Sequence, residues 1–210
     1  MDDSRPGTHA ILACVFAALI GVGAFVSIPL PFTPVPIGLQ TLFVLLTGLV
    51  LGPLWGASAV ALYLLIGILG LPVFAAGTGG LAHIAGPTGG YLVGFLPAAV
   101  VTGLIAGGIG GRWANGRRNR GTAGRANGTG VSGSARGRIA WDVVAVAAGT
   151  VVVYACGVPW LKMVADMPWI AALTSGLVPF MPGDAVKAAA AVALAPAARL
   201  AIRRVDTRLA

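Results

Sequence analysis

Asp184 and Lys187 stand three residues apart in Pro179-Phe180-Met181-Pro182-Gly183-Asp184-Ala185-Val186-Lys187, one carboxylate and one ammonium heading a segment rich in Ala, Val, Leu and Pro. A carboxylate accepts hydrogen bonds from N–H donors, and an ammonium donates to carbonyl or carboxylate oxygens. A small ligand that presents both kinds of group would suit the pair; the bland alternative is an ion pair that only fixes helix packing. Residues at i and i+3 share a helix face, so the two charges project together. Pro182 and Gly183 interrupt any helix arriving over 173–178, which puts Asp184 at the N-cap of a new helix that starts at Ala185.

The surroundings decide what such a pair costs. The 210-residue chain is 57% hydrophobic and 10% charged, whereas a soluble domain carries about 25% charged residues. No Asp, Glu, Lys or Arg occurs from Pro6 to Gly111, a stretch several times longer than the roughly 20 residues of one helical bilayer crossing. The apolar runs are continuous rather than alternating, so the fold class is an all-α integral membrane protein. Inside lipid, an ionisable residue marks a functional site by default. The net charge of +8 would suggest nucleic acid in a soluble protein. Here the charges lie in loops and ends, so topology accounts for them and no nucleic-acid partner is expected. Cys14 and Cys156 fall inside apolar runs and read as packing residues rather than a disulfide. The start, Met1-Asp2-Asp3-Ser4-Arg5, lacks the positive region of a signal peptide, so the first run is read as a retained helix.

Six transmembrane helices are expected. The first covers 10–28, where Ala13, Ala17 and Gly21 repeat at four-residue spacing and let another helix approach closely, from this chain or from a partner. Pro29, Pro31, Pro34 and Pro36 then impose an extended connection. The second helix, 38–51, reaches only roughly 21 Å. Gly52-Pro53 turns the chain into the third, 54–69, whose Ser58 is expected to bond back to its own helix. The fourth covers 91–109, the fifth 139–158, and the sixth continues from the Asp184 stretch to 202.

Between the third and fourth helices, 70–90 mixes apolar residues with glycines at 70, 77, 79, 80, 86, 89 and 90. That is too irregular for a helix and too apolar for a solvated linker, so it reads as a structured loop over a cavity. Residues 112–138 carry seven arginines and no acid, and read as a basic, disordered linker. Six crossings put both ends on one side. Arg5, the linker arginines, Arg199, Arg203, Arg204 and Arg208 then share that side, leaving Lys162 and Lys187 on the other. By the positive-inside rule, 1–9, 112–138 and 203–210 are cytoplasmic in a multi-pass protein of the cell membrane, and the glycine-rich loop faces outward with Asp184 and Lys187.

Several chemistries drop out. Neither lysine sits in a G-x-x-x-x-G-K-[ST] loop, so any ATP is hydrolysed by another subunit. Two histidines and no glutamate make a metal site or other cofactor unexpected. Gly56-Ala57-Ser58-Ala59 lacks the last glycine of a nucleophile elbow and lies away from His83, so no enzyme is expected. A proton-coupled carrier with Asp184 as its relay is the alternative function, but it needs further buried acids, and only Asp142 is available.

Four ordered motifs carry a family resemblance: Val35-Pro36-Ile37-Gly38-Leu39-Gln40-Thr41-Leu42; Gly70-Leu71-Pro72-Val73-Phe74-Ala75; Gly79-Gly80-Leu81 with Gly86-Pro87-Thr88-Gly89-Gly90-Tyr91; and Pro179-Phe180-Met181-Pro182-Gly183-Asp184-x-x-Lys187. Together they resemble the BioY family, the biotin-specific S components of energy-coupling-factor (ECF) transporters. The resemblance implies a six-helix S-component fold and capture of biotin from outside. Delivery would fall to partners, a coupling membrane protein with ABC-type ATPases. It gives Ala13 and Ala17 the role of docking on the coupling protein, and Asp184 and Lys187 that of ligand contacts. It also implies polar ligand contacts in the loop before the fourth helix, for which Thr78, His83, Thr88 and Tyr91 are the candidates. Of biotin's groups, the two ureido N–H donors suit Asp184, and Lys187 suits the ureido carbonyl or the carboxylate tail. Phe74, Leu81 and Tyr91 would supply an apolar wall.

Overall fold

The structure, a computed structural model, describes residues 6–28, 31, 33–109 and 131–208. Its long elements are helices: α1 (Pro6–Phe25), α2 (Gln40–Ile68), α4 (Gly89–Gly103), α5 (Val131–Val164) and α7 (Met181–Arg208). Shorter pieces join them: the strands β1 (Ser27–Ile28) and β2 (Ile37–Gly38), a 3-10 turn at Ala75–Gly77, α3 (Leu81–Ala85), a π turn at Leu104–Ile109 that extends α4, and α6 (Trp169–Gly176).

Among the described residues, five helices are long and apolar enough to cross a membrane, and α2 crosses twice. Gly52 sits at φ 79°, ψ −174° inside it, a backbone region open essentially only to glycine. In a continuous helix Gln40 and Tyr63 would lie about 35 Å apart, yet Gln40 Nε2 donates to Tyr63 Oη at 2.6 Å. Nearer the turn, a Cβ on Gly56 would stand 3.3 Å from Gly48 Cα. Residues 40–51 and 53–68 are therefore two antiparallel arms folded about Gly52-Pro53, which makes six transmembrane helices among the described residues. The arms are short, roughly 18 and 24 Å.

Small residues set the helix contacts, as expected where lipid offers no hydrophobic drive for association. On α4, a Cβ at Gly90 would collide with Trp160 of α5, and one at Gly94 would press on Cys156. The core forms two layers. At the loop end it is aromatic, with Tyr63, Phe74, Tyr91, Phe95 and Phe180. At the other end, which holds Arg138, Arg199 and Arg203, it is mostly Ala and Leu around Phe16. Cys14 and Cys156 are free.

Several boundaries differ from the sequence reading: the fifth and sixth helices run on to Val164 and Arg208, and three other differences have a local cause. α1 stops at Phe25 instead of running to Ile28, because Ser27–Ile28 pairs antiparallel with Ile37–Gly38, and a residue before proline, here Ile28, is pushed toward extended backbone. α5 starts at Val131, inside the stretch read as a linker. Extending an existing helix adds one hydrogen bond for each residue fixed, so the apolar span carries 131–138 with it. Residues 112–130 of that stretch lie outside the described residues. α7 starts at Met181, so Asp184 is not its N-cap. The Asp184 N–H donates to Phe180 O at 2.8 Å, already inside the helix. Pro182 does not break α7, because in a first turn its missing N–H would have had no partner anyway.

Candidate functional site

The Asp184–Lys187 pair is assembled from four helices. Both residues lie in the first two turns of α7 and are 9% and 7% exposed. Lys187 Nζ donates to Asp184 Oδ1 at 2.7 Å. The other carboxylate oxygen, Oδ2, accepts the hydroxyl of Tyr154 on α5. The Tyr154 ring stands edge-on to Tyr91 of α4, with centroids 6.3 Å apart. Tyr91 in turn donates to Gly176 O, the end of α6, at 2.8 Å, and its ring occupies the space a Cβ on Gly157 would need. A carboxylate offers about four lone-pair positions and an ammonium three N–H donors. With one bond on each Asp184 oxygen and one from Lys187 to Asp184, both groups keep capacity for a ligand in apolar surroundings, where charge-assisted bonds are strong.

The loop before α4 holds a second group. Phe74 is fully buried, edge-on to Tyr63 at 5.6 Å and stacked on His83 at 5.3 Å. His83 Nδ1 lies 3.0 Å from Thr78 Oγ1 and Nε2 lies 3.2 Å from Thr88 Oγ1. Thr78 spends its only hydroxyl proton on Ala75 O at 2.7 Å, so it accepts from His83. His83 is then protonated on Nδ1, and its Nε2 accepts from Thr88. Thr88, His83, Thr78 and Ala75 thus form one directed chain of hydrogen bonds. Trp160 pins the loop to α5 by donating to Gly86 O at 2.9 Å. Thr78, His83 and Thr88 line a cavity of about 390 Å³ together with Thr33, Pro36 and Pro87, within the usual size of a small-molecule pocket.

Burial pushes the His83 imidazole below its ordinary value of 6.5, so it is neutral at pH 7 and the hydrogen-bonded chain is complete. The unfolded chain takes up the proton first as pH falls, so the stability contributed by neutral His83 is full above about pH 6.5 and declines below it. The difference in unfolding temperature between the natural protein and His83→Gln should be constant from pH 7 to 8.5 and shrink on acidification. A difference that grows toward pH 5.5 would contradict this arrangement.

A profile of the BioY family matches residues 2–204. The chain belongs to the BioY family. Among relatives, the biotin transporter BioY of Thermotoga maritima is 39% identical over 186 residues, covering 88% of this chain and 92% of that protein. That of Rhodobacter capsulatus is 41% identical over 190 residues, covering 85% of this chain and 86% of that protein. The crystal structure of the S-component for biotin from an ECF-type ABC transporter aligns with a TM-score of 0.72 at 26% identity, covering 99% of this chain and 95% of that one. The six-helix S-component fold read from the motifs is therefore the fold of this chain.

In this BioY-family chain the site residues read from sequence fall into two clusters. Asp184, Lys187 and Tyr91 are joined by Tyr154; Phe74, Thr78, His83 and Thr88 are joined through the loop. Leu81, expected in an apolar wall, is 67% exposed instead. Ala13 and Ala17 need a correction. They are buried, packed in the two core layers of this chain, and α1 lies along α2. Their stripe is filled by internal packing, so it is not a free docking face in this structure. Ser58 bonds back to Leu54 O at 3.0 Å, as expected.

The sequence reading missed Tyr154 and Trp160. Each is an aromatic with a polar tip in an otherwise apolar helix, and such a tip, when buried, finds a partner. That signal was present, although the partners, 30 and 74 residues away, were not visible. It also missed how Asp142 and Arg199 meet. Arg199 grips Asp142 through two bonds of 2.6 and 2.8 Å, and it donates to Leu49 O from Nε and Nη2 at 3.2 and 2.8 Å. Leu49 O is the carbonyl that residue 53 would serve in a regular helix, and Pro53 has no N–H to give.

Proposed function

We propose that this chain is the membrane subunit that captures biotin from outside the cell and delivers it to the cytoplasm with an ATP-driven energy-coupling module. The observation that carries this reading is agreement along the whole chain. The family match spans residues 2–204, relatives matched over most of their length are biotin transporters, and a biotin S-component shares the fold over 99% of this chain. The family is one of transporters, and the chain itself is not an enzyme; in this reading a coupling membrane protein and ABC-type ATPases supply the energy, consistent with a sequence that carries no G-x-x-x-x-G-K-[ST] loop.

The site chemistry supports the ligand. The ureido ring of biotin carries two N–H donors beside one carbonyl, while its carboxylate lies at the far end of an alkyl tail. Lys187 Nζ and Asp184 Oδ1 are 2.7 Å apart, so they suit ligand groups that are immediate neighbours. Asp184 takes ureido N–H groups and Lys187 the ureido carbonyl. Tyr91 and Tyr154 wall the fused rings. Thr78, His83 and Thr88 border the adjacent loop cavity, and Phe74 supports that loop from beneath. Titration of biotin into the purified protein should give saturable binding; its absence from folded, monodisperse protein would overturn the assignment.

The loop end faces outward, and the termini and the 112–138 stretch face the cytoplasm. The distribution of arginine supports this, with Arg138, Arg199, Arg203 and Arg204 at one end of the bundle and Lys162 and Lys187 toward the other. A cysteine introduced at position 82 in the loop should react with an impermeant maleimide on intact cells, and one at position 204 should not. The reverse pattern would invert the topology.

A further inference from the structure

At the arginine end, α5 and α7 each contribute two charged residues to the lining of one cavity, each pair spaced i and i+4: Arg138 and Asp142 on α5, Arg199 and Arg203 on α7. The deeper level is neutral, because Asp142 pairs with Arg199. One turn nearer the helix ends, Arg138 and Arg203 line the same two cavities; Asp142, which lines one of them, is held by Arg199, and among the described residues neither Arg138 nor Arg203 has an ion-pair partner. Two cavities flank this level. One, of about 370 Å³, opens between α5 and α7 beside Ile139, Pro196 and Leu200. The other, of about 410 Å³, reaches to the α2 turn at Val50 and Gly52 and is lined by His9. His9 stacks on Trp55 at 5.5 Å, and its Nδ1 is buried without a partner among the described residues.

Like charges held together beside a cavity repel unless something negative lies between them. An anion there would turn one repulsion into two attractions, and it would give His9 Nδ1 an acceptor. Arg199 contributes little directly, because four of its five N–H groups are already engaged by Asp142 and Leu49 O. We propose that Arg138 and Arg203, with His9, form a binding site for the phosphate of an anionic phospholipid headgroup at this end of the bundle. A phosphate group matches the planar guanidinium fork. Exposed Ile139 and Leu200 beside the arginines offer the acyl chains an apolar wall. Basic pockets between membrane helices at the cytoplasmic surface hold anionic headgroups in this way. Placing the site in the inner leaflet rests on the topology proposed above; its existence does not.

The test is native mass spectrometry of the full chain in detergent, titrated with phosphatidylglycerol or with phosphatidylcholine of the same chain length. Phosphatidylglycerol should be retained preferentially, and Arg138→Gln/Arg203→Gln should weaken its retention by about thirtyfold. Unchanged biotin affinity in the double variant shows that it is folded. Arg203→Gln alone, at an exposed position, provides a milder variant with a smaller loss in the same direction. Equal retention of the two lipids, or unaltered phosphatidylglycerol retention in the double variant, would overturn the proposal. Displacement of the lipid by millimolar inorganic phosphate would assign the site to a soluble anion and overturn the lipid assignment. Loss of a co-purifying coupling protein with lipid retention intact would make this face a protein contact and overturn it too.

Discussion

Asp184→Asn should weaken biotin binding by at least about tenfold, because removing one member of a desolvated charged pair commonly costs about 2–5 kcal/mol. The substitution keeps the shape and one acceptor. It removes the charge that holds Lys187 Nζ at 2.7 Å, and it weakens the acceptor for the Tyr154 hydroxyl. A purely structural pair makes a different forecast. There each single variant would misfold, and Asp184→Leu with Lys187→Met would restore a folded protein that binds normally. In the ligand-contact reading the double variant folds and does not bind. Isothermal titration against monodisperse preparations separates the cases, and near-normal affinity in the double variant would end the ligand assignment. Tyr154→Phe serves as an inner control: it removes one bond to Asp184 without altering charge, so its loss should be smaller than that of Asp184→Asn.

The largest stability effect is expected at the opposite end of the bundle. Arg199→Ala takes from Asp142, 1% exposed, the one ion-pair partner it has among the described residues, a change that commonly costs about 3–5 kcal/mol. It also removes the two side-chain N–H donors from Leu49 O. Thermal unfolding in detergent should show a marked fall in midpoint. Asp142→Leu combined with Arg199→Met removes the stranded charge but does not restore the donation to Leu49 O, so it should recover most of the loss and not all of it. A single variant within about 1 kcal/mol of the natural protein would refute this account, since that is the scale of an exposed pair.

How much of this was legible in sequence depended on the range of the signal. The six crossings were readable because each is a continuous apolar run, and because Gly52-Pro53 is local turn chemistry. Asp184 and Lys187 were readable because charge in an apolar run is conspicuous and their spacing is helical. The role of Pro182 was not, since the same residue ends one helix or opens another, and only the Asp184 N–H bond to Phe180 O decides. Ala13 and Ala17 show the same limit: small residues at four-residue spacing announce a close neighbour without saying whose it is. Tyr154 and Arg199 act across 30 and 57 residues, a distance at which sequence periodicity carries no information.

The hairpin in α2 has a consequence for what the chain can tolerate. Gly48 meets Gly56, and Gln40 meets Tyr63; both pairings are centred within half a residue of position 52, so each residue of one arm has a fixed address on the other. An α-helix turns about 100° per residue. Deleting a single residue between 41 and 47 would therefore swing everything before it through more than a quarter turn, carrying Gln40 away from Tyr63 and pointing an amide toward lipid. Length in these arms behaves as a phase angle rather than as a distance, and an insertion that a surface loop would absorb unnoticed would here turn the entire preceding segment to the wrong side.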